Sequence, residues 1–325
     1  MLSLAKEPLK RLDECLWRAL VGKPDYMQLH PPARLRLKVA LGLPFSFSKP
    51  TCEAPIFVVG CPRSGTTVVF EIFFNSPNLL SFYQESHWVW EFLHSPAKQA
   101  DYSQRLDAKD LTPLSRFFIK GCYSSAFGTR RFVDKCPTNS LRIGAIRSIF
   151  PNAKIVCVLR NAMDNISSLI DTWNHPKYFP GFDVPAPLNI EGYGCQKWVH
   201  FLEPGWQSFV SEPIEKVCAH QWLTSNEYLQ EAKKSIPSED WVEVKHENIV
   251  NSPIESVTQM FNQLGLEITP NVLDFAHSLK QHQPNTESAP EIGKWKHRNA
   301  ERVSKIIPIV RPMMEKLGYD TDDYI

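Results

Sequence analysis

Residues 55–74 read PIFVVGCPRSGTTVVFEIFF, and this stretch decides the fold class. The apolar run Ile56–Val59 predicts a buried strand, and the apolar segment that starts at Thr66 predicts a helix. Between them, Gly60 and Gly65 allow the backbone to curl so that its N–H groups point inward, where the helix N-terminus adds positive partial charge. The sequence therefore predicts a strand–loop–helix unit whose loop binds a phosphate or a phosphate-like group.

Three later runs also have strand character, and a helical pattern follows each of them. These runs are 131–133, 154–159 and 241–244, and the helices predicted after the four strands cover 66–75, 141–150, 163–173 and 253–264. Alternating strands and helices are typical of a parallel sheet with helices on both faces, so we predict a P-loop-like α/β fold in a single domain. Ligands of such sheets bind at the carboxyl ends of the strands.

Outside this alternation, the chain has two segments of different character. Residues 1–50 are predicted to form an N-terminal helical extension to a main domain of residues 51–325. Within that domain, about 174–210 form an insert rich in proline, glycine and aromatic residues, which we expect on the acceptor side of the site. A long helix is predicted from about 211 to 234, and a final helix from about 300 to 317.

Composition excludes several classes of protein. Lys and Arg number 36 against 35 Asp and Glu, so the net charge of +1 argues against nucleic-acid binding by bulk charge. The eight cysteines are scattered with no C-x-x-C pair, which predicts free thiols in a reducing compartment and no metal site.

The amino terminus lacks an apolar leader or span, so we expect a cytoplasmic protein without stable membrane insertion. Leucines 9, 12, 16 and 20 recur at helical spacing, which leaves docking on the protein's own core, a membrane-surface contact and a homodimer open.

The loop departs from the common nucleotide-binding pattern at one position. Its spacing matches G-x-x-x-x-G-K-[ST], but Thr66 stands where that pattern has the lysine that reaches the β- and γ-phosphates. Arg63 is the charged residue inside the loop instead. We therefore expect no hydrolysis of ATP or GTP, although a P-loop metabolite kinase stays an alternative.

At this point the sequence resembles the sulfotransferases that use 3′-phosphoadenosine 5′-phosphosulfate (PAPS). The family's loop P-R-S-G-T-T, which binds the 5′-phosphosulfate, is spelled here by Pro62, Arg63, Ser64, Gly65, Thr66 and Thr67. The segment FPNAKIVCVLRNAMDNISSLI, residues 150–170, resembles the family's 3′-phosphate motif, which implies that Arg160 and Ser168 hold that phosphate. The resemblance implies PAPS as co-substrate and no metal.

The closest motifs are those of the tyrosylprotein-sulfotransferase branch. Resemblance to its N-K-D-P segment implies that Lys135 donates to the bridging oxygen together with Arg63, although Cys136 replaces the Asp. Resemblance to its Gly-Glu-Glu-Thr segment makes Glu85 the general base. The neighbouring His87 competes for that role, because the unperturbed pKa of a histidine suits it.

Two further residues are expected near the nucleotide. Lys294 lies in a Gly-Lys-Trp element that resembles the segment closing over the nucleotide, and it is a second candidate for phosphate binding. His246 follows the last predicted strand and is expected at the edge of the adenine site.

The acceptor is predicted to be a hydroxyl, or an amine, of a small-molecule metabolite or natural product. The insert carries more acidic than basic residues and many aromatic ones, which favours a neutral, apolar or cationic small molecule with cation–π contacts over an acidic peptide. Packing of these aromatic residues onto the sheet is the other interpretation. A protein-tyrosine sulfotransferase and a non-catalytic nucleotide-binding protein remain alternatives.

Overall fold

The computed structural model describes residues 52–82, 85–175, 181–279 and 291–323. The predicted extension 1–50 lies outside the described residues, as do Tyr83, Gln84 and residues 176–180 of the insert. Among the helices that are described, none combines the length and the apolarity needed to cross a lipid bilayer.

The core of the fold is a four-stranded sheet. Its strands are β1 (Ile56–Val59), β2 (Val133–Lys135), β3 (Lys154–Leu159) and β4 (Trp241–Lys245), in the order β2-β1-β3-β4. All three neighbouring pairs are parallel, which confirms the predicted sheet. The chain leaves β1 toward β2 on one side and then crosses to β3 on the other, so the carboxyl end of β1 is the switch point where ligands of such sheets bind.

The second strand differs from the prediction. It covers Val133–Lys135 rather than 131–133, so Lys135 is its last residue and pairs with Val58 of β1. The guanidinium of Arg131 donates instead to the carbonyl oxygens of Ala54 and Leu264, at 2.7 and 3.1 Å. These contacts with distant residues hold Arg131 outside the sheet. The strand begins at Val133 instead and ends at Lys135, next to the start of the loop.

Helices cover both faces of the sheet, as predicted. They are α1 (Thr66–Phe74), α2 (His87–Glu91), α3 (Pro113–Phe127), α4 (Ile143–Ile149), α5 (Ala162–Trp173), α6 (Ile214–Lys233), α7 (His246–Asn251), α8 (Pro253–Gln263), α9 (Pro270–Ser278), α10 (Trp295–Arg298) and α11 (Ala300–Lys316). Short 3₁₀ helices lie at Pro96–Lys98, Ala108–Asp110, Pro137–Leu141, Trp206–Phe209, Ser238–Asp240 and Thr321–Asp323.

Each face of the sheet has its own apolar core, because successive side chains of a strand point to opposite faces. Phe57 and Val59 pack in a large cluster with residues of α3, α4, α5, α6 and α11. Ile56 and Val58 pack in a second cluster with residues of α1, α7, α8 and α9. A central strand buried on both faces holds the loop that follows it in a fixed position.

Candidate active site

The loop after β1 has a backbone that two glycines make possible. Gly65 caps α1 with φ of 100°, and a Cβ at this position would lie 2.5 Å from Nδ1 of His246. A Cβ on Gly60 would lie 2.6 Å from the carbonyl oxygen of Val158. Neither approach leaves room for a side chain, so the loop requires glycine at both ends. His246 therefore lies directly against the loop.

Arg63 joins this loop to the predicted 3′-phosphate motif. Its Nε donates to Oγ of Ser168 at 3.2 Å, and its carbonyl oxygen accepts from the guanidinium of Arg160 at 2.9 Å. Ser168 lies on α5, and Arg160 follows the last residue of β3. The structure thus brings together three of the predicted site residues, although they come from segments about 100 positions apart in the chain.

The electrostatics of this group favour an anion. Burial, and then the neighbouring charge of Arg160, lower the pKa of Arg63 to about 10. Burial also lowers the pKa of Arg160, while Asp164 and Glu247 oppose the shift. Two guanidinium groups held side by side repel each other, and a polyanion between them would remove that repulsion.

Two buried donors beside the predicted phosphate site, one in the loop and one on the residue after β3, have no hydrogen-bond partner among the described residues. They are Nε of Arg160 and Oγ of Ser64, which belongs to the loop itself. A buried donor without a partner costs free energy, commonly about 1–3 kcal/mol, unless a ligand satisfies it. The donor chemistry of loop and motif therefore fits the two phosphate groups of a bisphosphorylated nucleotide.

One face of α5 carries polar residues that sequence reasoning missed. Asn161 caps the helix by accepting from the N–H of Asp164 at 2.9 Å, and Asn165 donates to the carbonyl oxygen of Pro62 at 2.8 Å. Asn161, Asn165 and Thr172 share a face with the predicted Ser168, at spacings of three and four. This helical periodicity is the signal that could have found them from the sequence.

Asp164 fixes the carboxyl-terminal element near the same helix. Its carboxylate accepts from the backbone N–H groups of Gly293 and Trp295, at 2.8 and 3.3 Å. Lys294 lies between these two anchors. Burial, and then the charges of Arg298 and Arg160, lower the pKa of Lys294. The structure therefore places Lys294 in the electrostatic field of the predicted phosphate site.

The predicted catalytic residues form a second group at the end of β2. Nζ of Lys135 donates to Oε1 of Glu85 at 2.6 Å, and Nε2 of His87 lies 2.9 Å from Oε2 of the same carboxylate. Nδ1 of His87 lies 3.2 Å from Oε1 of Glu91. Because Lys135 pairs with Val58 in the sheet, this group adjoins the beginning of the loop.

The charges in this group determine the protonation of its members. Burial raises the pKa of Glu85, but Lys135 and His87 outweigh it and hold that pKa well below its usual range. Burial lowers the pKa of His87, yet Cys136 and the carboxylates of Glu85 and Glu91 raise it well above its ordinary value. A carboxylate near each ring nitrogen is the environment of an imidazolium, which has no lone pair with which to accept a proton.

Buried hydrogen bonds hold this group in place. Asp134 accepts from Ser86, Tyr123 and Asn139 at 2.7, 3.0 and 3.0 Å, which fixes both the turn after Glu85 and the strand before Lys135. Burial raises the pKa of Asp134 to about 6 against these three donors.

His200 of the insert also reaches the site, and no motif indicated it. Its Nε2 lies 2.7 Å from Oγ1 of Thr172, one turn along α5 from Ser168, and its φ is 72°. Burial and then the charge of Arg63 lower the pKa of His200 to about 3, whereas Glu85 opposes the shift. A neutral histidine in a strained backbone conformation therefore lies against α5, where the charges of Arg63 and Glu85 both act on it.

Three aromatic side chains of the insert pack onto the body of the protein. Trp198, Phe201 and Trp206 are fully buried, and Trp198 packs edge-on against Trp173 of α5 at 5.2 Å. Packing onto the body of the protein is therefore the correct interpretation for these three residues. Tyr178 and Phe179 lie outside the described residues.

Comparison with known proteins identifies the region that holds the site. Residues 55–183 match the model of a sulfotransferase family. Nodulation protein NoeE of Sinorhizobium fredii is 28% identical over 135 residues, which cover 37% of this chain and 32% of that protein. An uncharacterised protein of Aquifex aeolicus is 29% identical over 123 residues, 34% of this chain and 16% of that protein. The matched part thus spans a third or less of each curated relative.

The fold resembles that of a solved protein over nearly the whole chain. The crystal structure of sulfotransferase STF9 from Mycobacterium avium aligns with a TM-score of 0.56 and covers 97% of each chain, at 13% identity. At this identity the alignment shows the shared fold.

Proposed function

We propose that this chain, whose residues 55–183 match a sulfotransferase family model, transfers a sulfo group from PAPS to a hydroxyl or amine of a small molecule. The observation that carries the proposal is the joining of Arg63, Ser168 and Arg160 by hydrogen bonds. It links a loop suited to a 5′-phosphosulfate with two residues suited to a 3′-phosphate. A nucleotide with a 5′-phosphosulfate and a 3′-phosphate provides a ligand for the loop and for these two residues at once.

The nucleotide-binding residues have separate tasks. The N–H groups of residues 63–67, at the N-terminus of α1, bind the 5′-phosphosulfate together with the side chains of Ser64 and Thr67. Arg160 and Ser168 bind the 3′-phosphate, and Lys294 adds charge beside them. His246, whose pKa burial and then Arg160 hold well below the ordinary value, is neutral and suits the edge of the adenine ring.

The transfer itself needs a donor to the leaving oxygen and a base for the acceptor. PAPS, when bound, supplies the sulfo group and a phosphate leaving group. One N–H of the Lys135 ammonium donates a hydrogen bond to Glu85. The other two N–H groups are available to donate to the bridging oxygen, where negative charge develops. Arg63 stabilises the same charge from the loop. The acceptor oxygen forms the new bond to sulfur as the bond from sulfur to the bridging oxygen breaks.

Glu85 is the base in this proposal, and His87 is a positioning residue. Glu85 takes the proton that the acceptor hydroxyl loses while its oxygen bonds to sulfur. When Lys135 directs its charge toward the phosphosulfate, its hold on Glu85 weakens and the carboxylate becomes more basic. His87 lies between two carboxylates and is protonated, so it donates to Glu85 and orients it.

The charge of the insert supports a small-molecule acceptor over an acidic peptide. Lys197, the lysine within residues 181–206, is paired with Asp183 at 2.8 Å. Glu203 is fully buried with its pKa raised by burial to about 8, so it is largely uncharged at neutral pH. This described part of the insert therefore offers no surplus of positive charge to an acidic chain.

A mass-spectrometric screen tests the proposal. The protein is incubated with metabolite pools with and without PAPS, and products are sought that gain the mass of one SO₃ group. The Lys135→Ala variant is expected to give none, whereas Lys120→Ala, which removes an exposed lysine of α3, is expected to give the wild-type products. Nucleotide binding without any such product across the pools would support the non-catalytic alternative. Sulfation confined to acidic tyrosine peptides would overturn the small-molecule assignment, and tighter binding of ATP would favour a kinase.

A further inference from the structure

Three side chains of different chemistry meet at one point beside Lys135. Oε2 of Glu85 lies 2.9 Å from Nε2 of His87, and this nitrogen lies 3.5 Å from Sγ of Cys136. All three potential ligand atoms lie within 4.8 Å of one another. We infer that this trio, which we call the Glu-His-Cys cluster, is a binding site for a zinc ion.

The distances agree with what zinc requires. Zinc binds sulfur at about 2.3 Å and histidine nitrogen at about 2.0–2.1 Å, so a tetrahedral ion holds these two ligands about 3.5 Å apart. The observed separation of Nε2 and Sγ is also 3.5 Å, and Sγ lies 3.6 Å from Nδ1 of the same ring, so the imidazole must turn to direct its Nε2 lone pair at an ion bound by the sulfur. The carboxylate oxygen must move away by only about 0.5 Å to complete the triangle. Thiolate, imidazole and carboxylate together favour zinc over magnesium or calcium, which prefer oxygen ligands.

The other nitrogen of His87 has the partner that a metal-binding histidine usually has. Nδ1 lies 3.2 Å from Oε1 of Glu91, and this carboxylate accepts from Arg142 and Gln104, each at 2.6 Å. A carboxylate on the second nitrogen fixes the ring orientation and makes the metal-facing nitrogen a better ligand. This contact involves neither Glu85 nor Cys136, and it leaves Nε2 on the side of the ring that faces Glu85.

Lys135 does not occupy the proposed site. It donates to Oε1 of Glu85, whereas Oε2 faces the histidine, so one carboxylate can hold the ammonium and the metal at once. A thiolate and a carboxylate supply two negative charges, which neutralise a divalent ion. The side chains of Glu85 and His87 are 29% and 19% exposed, so the ion enters from their side while Cys136 lies behind them.

Zinc bound there would block the reaction. The ion displaces the proton of the Cys136 thiol and the Nε2 proton of His87, which both pass to solvent, and it takes the lone pairs of Glu85. The expected consequence is reversible inhibition. This consequence rests on the proposed function, in which Glu85 is the base, whereas zinc binding itself does not.

Direct titration separates the two claims. Zinc alone is added to the nucleotide-free protein in competition with a chromogenic chelator, and cobalt(II) is then used to look for a thiolate charge-transfer band. We expect one zinc ion per chain, and Cys136→Ser to weaken its binding by at least about tenfold and abolish the band. Cys195→Ser, a change at a more exposed cysteine, should leave both unchanged. If Cys136→Ser perturbs the fold by circular dichroism, His87→Gln serves as the second ligand variant.

Equal zinc affinity in wild type and both ligand variants would overturn the site, as would a wild-type protein that does not compete with the chelator. Inhibition is measured separately once an acceptor is known. Zinc binding at the cluster without inhibition would contradict the role of Glu85 and leave the metal site standing.

Discussion

Replacing Lys135 with alanine removes the group that we assign to the leaving oxygen. Its side chain is 11% exposed and its ammonium lies 2.6 Å from Oε1 of Glu85, so it acts from a partly desolvated position fixed by the sheet. Loss of one such donor to developing charge commonly lowers kcat by about 10²–10³, or about 2.7–4 kcal/mol. We expect a loss in this range, with the dissociation constant of adenosine 3′,5′-bisphosphate changed by less than about threefold.

The same substitution has a second consequence through pH. Lys135 is the strongest of the groups that hold the pKa of Glu85 below its usual range, so its removal raises that pKa. A base must be deprotonated to act, and the acid limb of the kcat profile should therefore move to higher pH in Lys135→Ala. The assay follows release of adenosine 3′,5′-bisphosphate from PAPS at saturating acceptor, with Lys120→Ala as the control. A kcat within about threefold of wild type, or an unmoved acid limb, would refute the assignment.

Three further predictions concern the loop, the carboxyl-terminal turn and a buried acid. Gly65→Ala forces a side chain into a left-handed, crowded position and should lower the free energy of unfolding in urea by about 1–3 kcal/mol, whereas Gly194→Ala, in open space, should have little effect. Asp164→Ala removes the acceptor of two backbone N–H groups and should weaken nucleotide binding by about tenfold or more in calorimetry. Asp274→Ala, at an exposed residue, is the control and should leave the affinity unchanged. Equal nucleotide affinity of wild type and Asp164→Ala would contradict the anchoring role. Glu203 has its pKa raised from 4.5 to about 8, so the folded state binds more protons and wild-type stability should fall as pH rises from about 4.5 to about 8. Glu203→Gln should flatten this dependence in chemical denaturation, and an unchanged slope would show that the carboxyl does not titrate there.

The pattern of neighbouring residues correctly predicted those strands whose positions depend on the local sequence alone. The predicted bounds of β1 and β3 are those of the structure, because Ile56–Val59 and, after Lys154, residues 155–159 are unbroken apolar runs buried on both faces. The roles of the phosphate loop and of the pair Arg160 and Ser168 were expected from their resemblance to sulfotransferase motifs, and the strand end and helical spacing are compatible with those roles. Helix α3 was missed even though Thr112 and Pro113 give it a cap and a first residue typical of helix starts.

The remaining differences come from contacts distant in the chain. The strand boundary at β2 depends on carbonyl acceptors near residues 54 and 264, which no local pattern contains. The link from Asp164 to the turn around Lys294 spans 129 positions. His200 could not be ranked above other histidines, because its approach to Arg63 and Glu85 depends on how the insert packs. Sequence also left Glu85 and His87 as rival bases, and the two carboxylates around His87 are what favour Glu85.

The central claim is that Arg160 and Ser168 extend the phosphate loop into a site for a nucleotide with a 3′-phosphate. Calorimetric titration of wild type and Arg160→Ala with adenosine 3′,5′-bisphosphate and with 5′-AMP, which lacks that phosphate, tests it directly. The account predicts that wild type prefers the bisphosphate by about tenfold or more and that most of this preference disappears in Arg160→Ala, while 5′-AMP affinity changes little. Equal affinity of wild type for the two nucleotides, or the same preference in both proteins, would contradict it.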